Sequence, residues 1–151
     1  MITAFRLTKT KHASLAFTGH GARIAGGRWN PPGAAVVYCS ASLALAAFET
    51  FVHMGDEGRE LEFVSFEVQI PPSLVETLER LPKGWRAATP HDASMRIGAK
   101  WVKEQRSAVL CVPSVLVPSE KNYLLNPAHP DFRKVAISRA KKFSFDPRVW
   151  K

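Results

Sequence analysis

The chain has 151 residues, 46% of them hydrophobic and 23% charged, which excludes an intrinsically disordered protein and predicts an ordinary globular one. This length is enough for one domain with one sizeable core. The formal net charge of +8 favours a polyanionic partner, which could be nucleic acid, an acidic protein or a phosphate-bearing ligand, and charge alone does not choose among them.

Membrane and secretory signals are absent from the pattern. No apolar stretch reaches about 18 residues, and the first six residues lack the basic-then-apolar layout of a signal peptide. We therefore expect a cytoplasmic protein without a membrane partner.

The basic residues form no run of five or six, so a nucleic-acid-binding tail is not indicated. Cys39 and Cys111 lie in strand-like segments without a metal-binding motif and are expected to be reduced core residues.

The first half of the chain predicts strands on either side of one helix. The Gly/Pro-rich turn 26–33 holds Arg28 and Trp29 near the entrance of a strand. Ser40 or Ser42 can cap the helix that follows, and Gly55 is a good stop after it. The predicted elements are a short strand at 3–7, a loop at 12–27, a strand at 35–39, a helix at 43–53 and a strand at 61–70.

The second half predicts two further helices and a β-rich end. A short helix is expected at 74–81 and a longer one at 93–105, where apolar residues recur at helical spacing. Strands are predicted at 108–112, 115–117, 135–138 and 143–145. Strands mixed with two or three helices, without regular βαβ alternation, predict a single α+β domain over residues 1–151.

Glu49 is the most informative residue of the pattern. It is the only acidic residue between Arg28 and Asp56, and it lies in an apolar run of the predicted helix 43–53. A carboxylate in such surroundings is costly to keep ionised unless it is paired or hydrogen-bonded. A functional role is the first explanation to test.

Several common catalytic templates are missing. The glycines of segment 12–27 form neither a phosphate-binding loop nor a dinucleotide fingerprint, and zinc-hydrolase and serine-hydrolase motifs do not occur. What remains is a dispersed polar set that fits a nucleotide glycosidic bond. Arginine grips phosphate, tyrosine stacks on a heterocycle, and a carboxylate stabilises an oxocarbenium-like centre. The set is Arg6, Arg28, Tyr38, Glu49, Ser114, Asn122, Asn126 and His129.

Each of these residues also has an ordinary structural interpretation. Arg28 can be a surface arginine, and Glu49 can form a structural ion pair with Arg6 or Arg28. Tyr38 can be a core aromatic residue and Ser114 a turn residue. Spacing alone favours the structural interpretation in each case.

Two series of sequence blocks, in order, cover nearly the whole chain and resemble the RES domain family. The first comprises GGRWNPPG (26–33), VVYCS (36–40) and LALAAFE (43–49) with Val52-His53. The second comprises VPSVLVP (112–118), NYLLNP (122–127), His129-Pro130 and FDPR (145–148). The family is named for an arginine, a glutamate and a serine, which Arg28, Glu49 and Ser114 match here.

The resemblance implies a toxin of a type II toxin–antitoxin pair, with a fold similar to ADP-ribosyltransferase toxins and NAD+ as substrate rather than a bound cofactor. It implies that Arg6 and Arg28 bind the pyrophosphate or the neighbouring ribose, and that Tyr38 lines the nicotinamide pocket. Glu49 would stabilise the oxocarbenium ion, Ser114 would form a hydrogen bond with the ligand near the scissile bond, and Asn126 would join the NAD-binding set. No metal is expected.

The implied partner is an Xre-like helix-turn-helix antitoxin that blocks the active site, and the family also suggests a toxin homodimer within a larger assembly. Direct nucleic-acid binding by the toxin is not expected.

Three functions stay open at this point. They are cleavage of NAD+ by hydrolysis or phosphorolysis, ADP-ribosylation of a specific protein, and a non-enzymatic basic binding module in which Glu49 is structural.

Overall fold

Eight strands form one curled sheet in residues 1–89 and 92–151, the part of the chain that the computed structural model describes. The strands are β1 (Ile2–Lys9), β2 (Val37–Ser40), β3 (Phe63–Ile70), β4 (Val75–Thr77), β5 (Val109–Pro113), β6 (Lys121–Leu125), β7 (Ala136–Ile137) and β8 (Lys141–Phe143). Their order is β4-β5-β6-β2-β1-β3-β7, and β8 also pairs with β3. Every pairing is antiparallel except that of β4 with β5.

Three α-helices accompany the sheet in the described residues: α1 (His20–Ala25), α2 (Leu43–Val52) and α3 (Asp92–Glu104). Short 3-10 turns lie at Thr10–Leu15, Asp56–Glu60, Pro72–Leu74, Pro130–Lys134 and Pro147–Trp150. The predicted α+β class is confirmed, and the sheet is mostly antiparallel with few helices beside it. No helix in residues 1–89 and 92–151 is long and apolar enough to cross a membrane.

Helix α2 begins where the sequence predicts. The side chain of Ser42 accepts a hydrogen bond from the backbone N–H of Leu45 at 3.0 Å and so satisfies one of the free donors of the first turn. Ala46 of this helix packs with Leu7 of β1 and Phe63 of β3 in one buried cluster. These contacts hold α2 against the sheet. They therefore fix the position of Glu49, one turn later, at the cavity described below.

Helix α3 packs against the turn that carries Arg28 and Trp29. A Cβ atom added at the buried Gly98 would overlap the carbonyl oxygen of Trp29 and lie 2.7 Å from its carbonyl carbon. Only a residue without a side chain permits this approach. Trp101, one turn later, is fully buried with Trp29, Val36 and Leu110, so the second core cluster ties α3 to this turn.

Several predicted elements are wrong. Residues 74–81 do not form a helix, because Val75–Thr77 becomes strand β4 and pairs in parallel with β5. Residues 115–117 are not a strand, since the backbone turns around the hydroxyl of Ser114, which accepts bonds from the N–H groups of Leu116 and Val117 at 3.1 Å each. Segment 12–27 is not simply a loop, because it contains α1.

Candidate active site

The carboxylate of Glu49 is held by two donors from the sheet. Its Oε1 accepts a hydrogen bond from Ser114 Oγ at 2.7 Å and a second from Asn122 Nδ2 at 2.9 Å. Both bonds fall on the same oxygen, which leaves Oε2 without a hydrogen-bond partner among residues 1–89 and 92–151. Two donors fixed on strand ends hold the carboxylate in one orientation.

Glu49 forms no ion pair within 4.0 Å in the described part of the chain, where the ion pairs involve Glu76, Glu104, Asp131 and Asp146. The structural alternative, in which Glu49 pairs with Arg6 or Arg28, is therefore not realised. An oriented carboxylate with a free oxygen is a group that can meet a ligand.

Arg28 lies close enough to Glu49 for the two charges to interact. Partial burial lowers the pKa of the Arg28 guanidinium, and the nearby negative charge of Glu49 acts in the opposite direction. Its Nη1 donates to the carbonyl oxygens of Trp85 at 3.0 Å and Ala87 at 2.7 Å. Arg28 thus anchors loop 85–88 beside the cavity while its other nitrogens have no hydrogen-bond partner in the described residues.

Arg6 is anchored more deeply, on strand β1. Its Nε donates to the carbonyl of Ala16 at 2.6 Å and its Nη1 to the carbonyl of Tyr38 at 3.0 Å. Burial lowers the pKa of the Arg6 guanidinium. The same burial raises the pKa of the Cys39 thiol to about 12, so that thiol is neutral beside the cation. Both cysteines are free and buried, as predicted.

Tyr38 supports the turn that carries Arg28. Its hydroxyl donates to Asn30 Oδ1 at 2.5 Å and accepts from the backbone N–H of Trp29 at 3.2 Å. Asn30 Nδ2 in turn donates to the carbonyls of Ala22, Pro31 and Ala34, which closes the turn. Burial raises the pKa of Tyr38, so its hydroxyl stays protonated and remains a donor.

These side chains surround one cavity of about 810 Å³, within the range of roughly 300–1,000 Å³ usual for small-molecule sites. Among its described lining residues, Glu49 is the only acid, and three arginines, Arg6, Arg28 and Arg86, line the same cavity. Apolar side chains, Phe5, Trp29, Val36 and Leu116 among them, form most of the remaining wall. A cavity of this charge favours an anionic ligand, and its apolar wall can contact an apolar part of that ligand.

Of the predicted set, the structure brings Arg6, Arg28, Tyr38, Glu49 and Asn122 together at this cavity. Ser114, Asn126 and His129 do not line it. Ser114 is fully buried and does not line the cavity. Its hydroxyl donates a hydrogen bond to Glu49 and not to a ligand. Asn126 also lies outside the lining. It is buried at the end of β6, where its Oδ1 accepts from the N–H of Ala128, and its position does not support direct contact with substrate.

Sequence reasoning did not assign Arg86 or Ser40, and it named Asn122 only as part of a polar cluster. Arg86 follows Trp85 in an exposed loop, and no local pattern places that loop beside Arg28, nearly sixty positions earlier. Ser40 and Asn122 are paired across strands β2 and β6. An antiparallel register with residues 36–40 would have indicated Asn122, had strand β6 been predicted.

A basic cavity with one oriented carboxylate, set in a curled and mostly antiparallel sheet, is the candidate active site of this α+β protein. The RES domain model matches residues 3–146. The chain belongs to the RES domain family, and the expectation of a RES-family toxin is confirmed.

The relatives agree with this assignment. The chain is 42% identical over 137 residues to the "Prs ADP-ribosylating toxin" of Sphingobium sp. (strain YBL2), covering 87% of this chain and 85% of that one. It is 38% identical over 148 residues to "Toxin Res" of Yersinia enterocolitica, covering 96% and 97% of the two chains. The fold is similar to that in the crystal structure of the M. tuberculosis MbcT-MbcA toxin-antitoxin complex, with a TM-score of 0.73, 16% identity, and coverage of 98% of this chain and 86% of that one.

Proposed function

We propose that this protein cleaves the nicotinamide–ribose bond of NAD+ and acts in the cytoplasm as the toxin of a type II toxin–antitoxin pair. The observation that carries the proposal is the state of Glu49. It is the only acid among the described residues lining an arginine-rich cavity, it is oriented through Oε1, and no cation neutralises it by direct contact. NAD+ enters as substrate, and the proposed chemistry draws on the chain's own side chains.

The chemistry follows from charge. When the C–N bond to nicotinamide breaks, both electrons leave with the nicotinamide nitrogen, which becomes neutral, and positive charge develops on the ribose. A preorganised carboxylate then stabilises the transition state more than the ground state. Because the leaving group is neutral once released, no general acid is required. Water, phosphate or a protein nucleophile finally attacks the ribose carbon.

The arginines of the cavity would bind the pyrophosphate of NAD+. The free edges of Arg6 and Arg28 would hold the two negative charges of the pyrophosphate, since guanidinium donors match phosphate oxygens in geometry. Arg86, on the loop that Arg28 anchors, would add a third positive charge. The ring of Tyr38 borders the same space and would contact the nicotinamide end.

The test is to incubate purified, antitoxin-free protein with NAD+ and to follow nicotinamide release by chromatography, with and without phosphate. Release by the folded wild type would support the proposal. Free ADP-ribose as product would indicate hydrolysis, and a phosphorylated ADP-ribose formed only with phosphate would indicate phosphorolysis. Absence of nicotinamide release in both buffers and with cell extract would refute the proposal.

Arg28→Ala is expected to reduce kcat/KM for nicotinamide release by about 10- to 100-fold, because it removes a charge-assisted contact worth roughly 1.5–3 kcal/mol. It also releases loop 85–88, whose carbonyls lose their donor. Arg139→Ala is the matched control, since it removes the same charge from an exposed position outside the cavity lining. Equal losses in both variants would mean that net charge, and not Arg28 itself, matters.

A second candidate is ADP-ribosylation of a specific protein, favoured by the printed name of the relative that is 42% identical. It shares the first bond cleavage and differs in the acceptor. Adenine-labelled NAD+ incubated with cell extract distinguishes the two. Label that becomes covalently attached to one protein supports transfer, and label recovered only in small molecules supports hydrolysis or phosphorolysis.

We further propose that an Xre-like antitoxin covers the cavity mouth and that the toxin forms a homodimer in the resulting assembly. Three apolar side chains near the mouth are unusually exposed: Leu15 and Val52, which line the cavity, and Phe48, one helical turn before Val52 on α2. Exposed apolar side chains gathered at one opening are typical of a protein-binding surface. The positive charge of the chain fits an acidic segment in the partner.

Phe48→Glu is expected to weaken antitoxin binding by tenfold or more and to leave NAD+ cleavage by the free toxin unchanged, because Phe48 does not line the cavity. Calorimetric titration with the purified antitoxin measures the first effect and nicotinamide release the second. Ile137→Glu on strand β7 is the control, as it changes a similarly exposed apolar residue elsewhere. Unaltered antitoxin affinity of Phe48→Glu would place the contact surface away from α2.

A further inference from the structure

We propose that Asn122, fixed by Ser40, is the positioning residue that turns Oε1 of Glu49 toward the sheet and leaves Oε2 for the substrate ribose. The inference rests on the proposed cleavage of NAD+ and assigns a role to two residues outside the arginine, glutamate and serine that name the family. Asn122 and Ser40 both line the cavity, whereas the other donor to Glu49, Ser114, is completely buried.

The first step is the register of strands β2 and β6. Ser40 and Asn122 are partners across these antiparallel strands, so their side chains lie side by side on one face of the sheet. The Ser40 hydroxyl donates to Asn122 Oδ1 at 2.7 Å. The ladder itself is made by backbone groups, so neither side chain is needed for strand pairing.

The second step is the orientation of the amide. An ionised carboxylate can only accept hydrogen bonds, so the group facing Glu49 must be the Nδ2 of Asn122 and not its Oδ1. The donor from Ser40 satisfies Oδ1 and thereby favours this orientation over its flipped alternative. The order of donation, Ser40 to Asn122 to Glu49, therefore has a single consistent direction.

The third step concerns which oxygen is free. Ser114 reaches Oε1 from behind, at the end of β5, and Asn122 reaches the same atom from β6. With one donor the carboxylate could still turn about its last torsion angle, whereas two donors from separate strands hold its plane. Oε2, the oxygen without a donor among the described residues, is then held in a fixed direction on a side chain that lines the cavity. Stabilisation of a developing ribose cation requires such a fixed direction.

Asn122→Asp tests this arrangement with almost no change in shape. It replaces the donor with an oxygen that repels Glu49, so we expect kcat to fall at least 100-fold near neutral pH with a much smaller change in KM. The introduced carboxyl group becomes a donor again when protonated. The variant should therefore regain activity as the pH falls, relative to the wild type at the same pH, and a merely structural role would not produce this profile.

Ser40 supplies an independent check through a double-mutant cycle. Ser40→Ala should lower kcat about tenfold in the wild type but have no further effect in an Asn122→Ala background, because Ser40 acts only through Asn122. Ser40→Thr, which keeps the hydroxyl, should restore the rate. Additive losses, or an Asn122→Asp rate within twofold of the wild type at every pH, would overturn the proposal.

A crystal structure of Asn122→Ala separates failure of this inference from failure of the proposed function. Loss of the second donor should let the Glu49 carboxylate rotate or adopt two conformers, and this readout does not depend on NAD+ cleavage. A Glu49 carboxylate held as before would overturn the positioning role even if the wild type cleaves NAD+. A displaced carboxylate in a wild type inactive on NAD+ would sustain the role and reject the substrate.

Discussion

Glu49→Gln is expected to lower the rate of nicotinamide release by about three orders of magnitude while the protein remains folded. The substitution keeps the shape of the side chain and an oxygen that can accept from Ser114 and Asn122. What it removes is the negative charge opposite the developing ribose cation, and electrostatic stabilisation of this kind is usually the largest single contribution to catalysis. We therefore expect the loss in kcat rather than in KM.

The measurement is a steady-state rate with a thermal unfolding curve for each variant. Glu67→Gln is the matched control. The Glu67 carboxylate also accepts a hydrogen bond from a side-chain amide, Gln69 Nε2 at 3.0 Å, but Glu67 lies outside the cavity lining. It should cleave NAD+ like the wild type. If Glu49→Gln keeps more than a tenth of the wild-type rate, the carboxylate charge is not the main source of catalysis, and the proposed mechanism is wrong.

The same experiment in cells tests the biological consequence. Expression of the wild type without antitoxin should arrest growth and deplete NAD+, and Glu49→Gln should do neither. Growth arrest by Glu49→Gln at unchanged NAD+ would separate toxicity from NAD+ consumption. That result would favour a binding role in which Glu49 only supports the fold.

Local sequence predicted the helix that carries Glu49, and drew attention to this residue, because the physical reasons for both are local. An isolated acid in an apolar helix is costly, and Ser42 at the right distance before the helix satisfies a free backbone donor. Helix α3 was predictable for the same reason, since its apolar residues recur at helical spacing. The sequence signals that predict such helices lie within the helices themselves or a few residues from their ends.

The partners of Glu49 were not predictable in this way. Ser114 and Asn122 are 65 and 73 positions away in the chain, and only the order of strands β5, β6 and β2 brings them to α2. The helix predicted at 74–81 was wrong for a related reason. The β-branched Val75 and Thr77 form a strand only because β5 offers a parallel partner more than thirty positions later, and this tertiary pairing overrides local preference.

Gly98→Ala is expected to destabilise the protein by about 3 kcal/mol, the upper end of the range of roughly 1–3 kcal/mol typical of overpacking. Alanine is a better helix former than glycine by about 1 kcal/mol, so a glycine in the middle of α3 has a packing reason. That reason is the carbonyl of Trp29, which a methyl group at position 98 would overlap. Either α3 or the turn 26–33 must move.

Chemical denaturation measures the change in free energy of unfolding. The matched control is Gly21→Ala in helix α1, where an added Cβ meets no described atom within 4 Å and stability should stay the same or rise slightly. A Gly98→Ala protein within about 1 kcal/mol of the wild type would mean that α3 does not seat on Trp29 as described.

The second consequence of Gly98→Ala reaches the cavity. Trp29 follows Arg28, and its backbone N–H donates to the hydroxyl of Tyr38. Displacement of this turn therefore moves Arg28 and Trp29, which both line the cavity, and loosens the contact with Tyr38. Assayed at a temperature where the variant is still folded, it should show a raised KM for NAD+, while Gly21→Ala serves only as the stability control. A normal KM in a destabilised Gly98→Ala protein would mean that α3 yields and the turn stays, so that the cavity is set by Tyr38 and Asn30 rather than by the helix behind it.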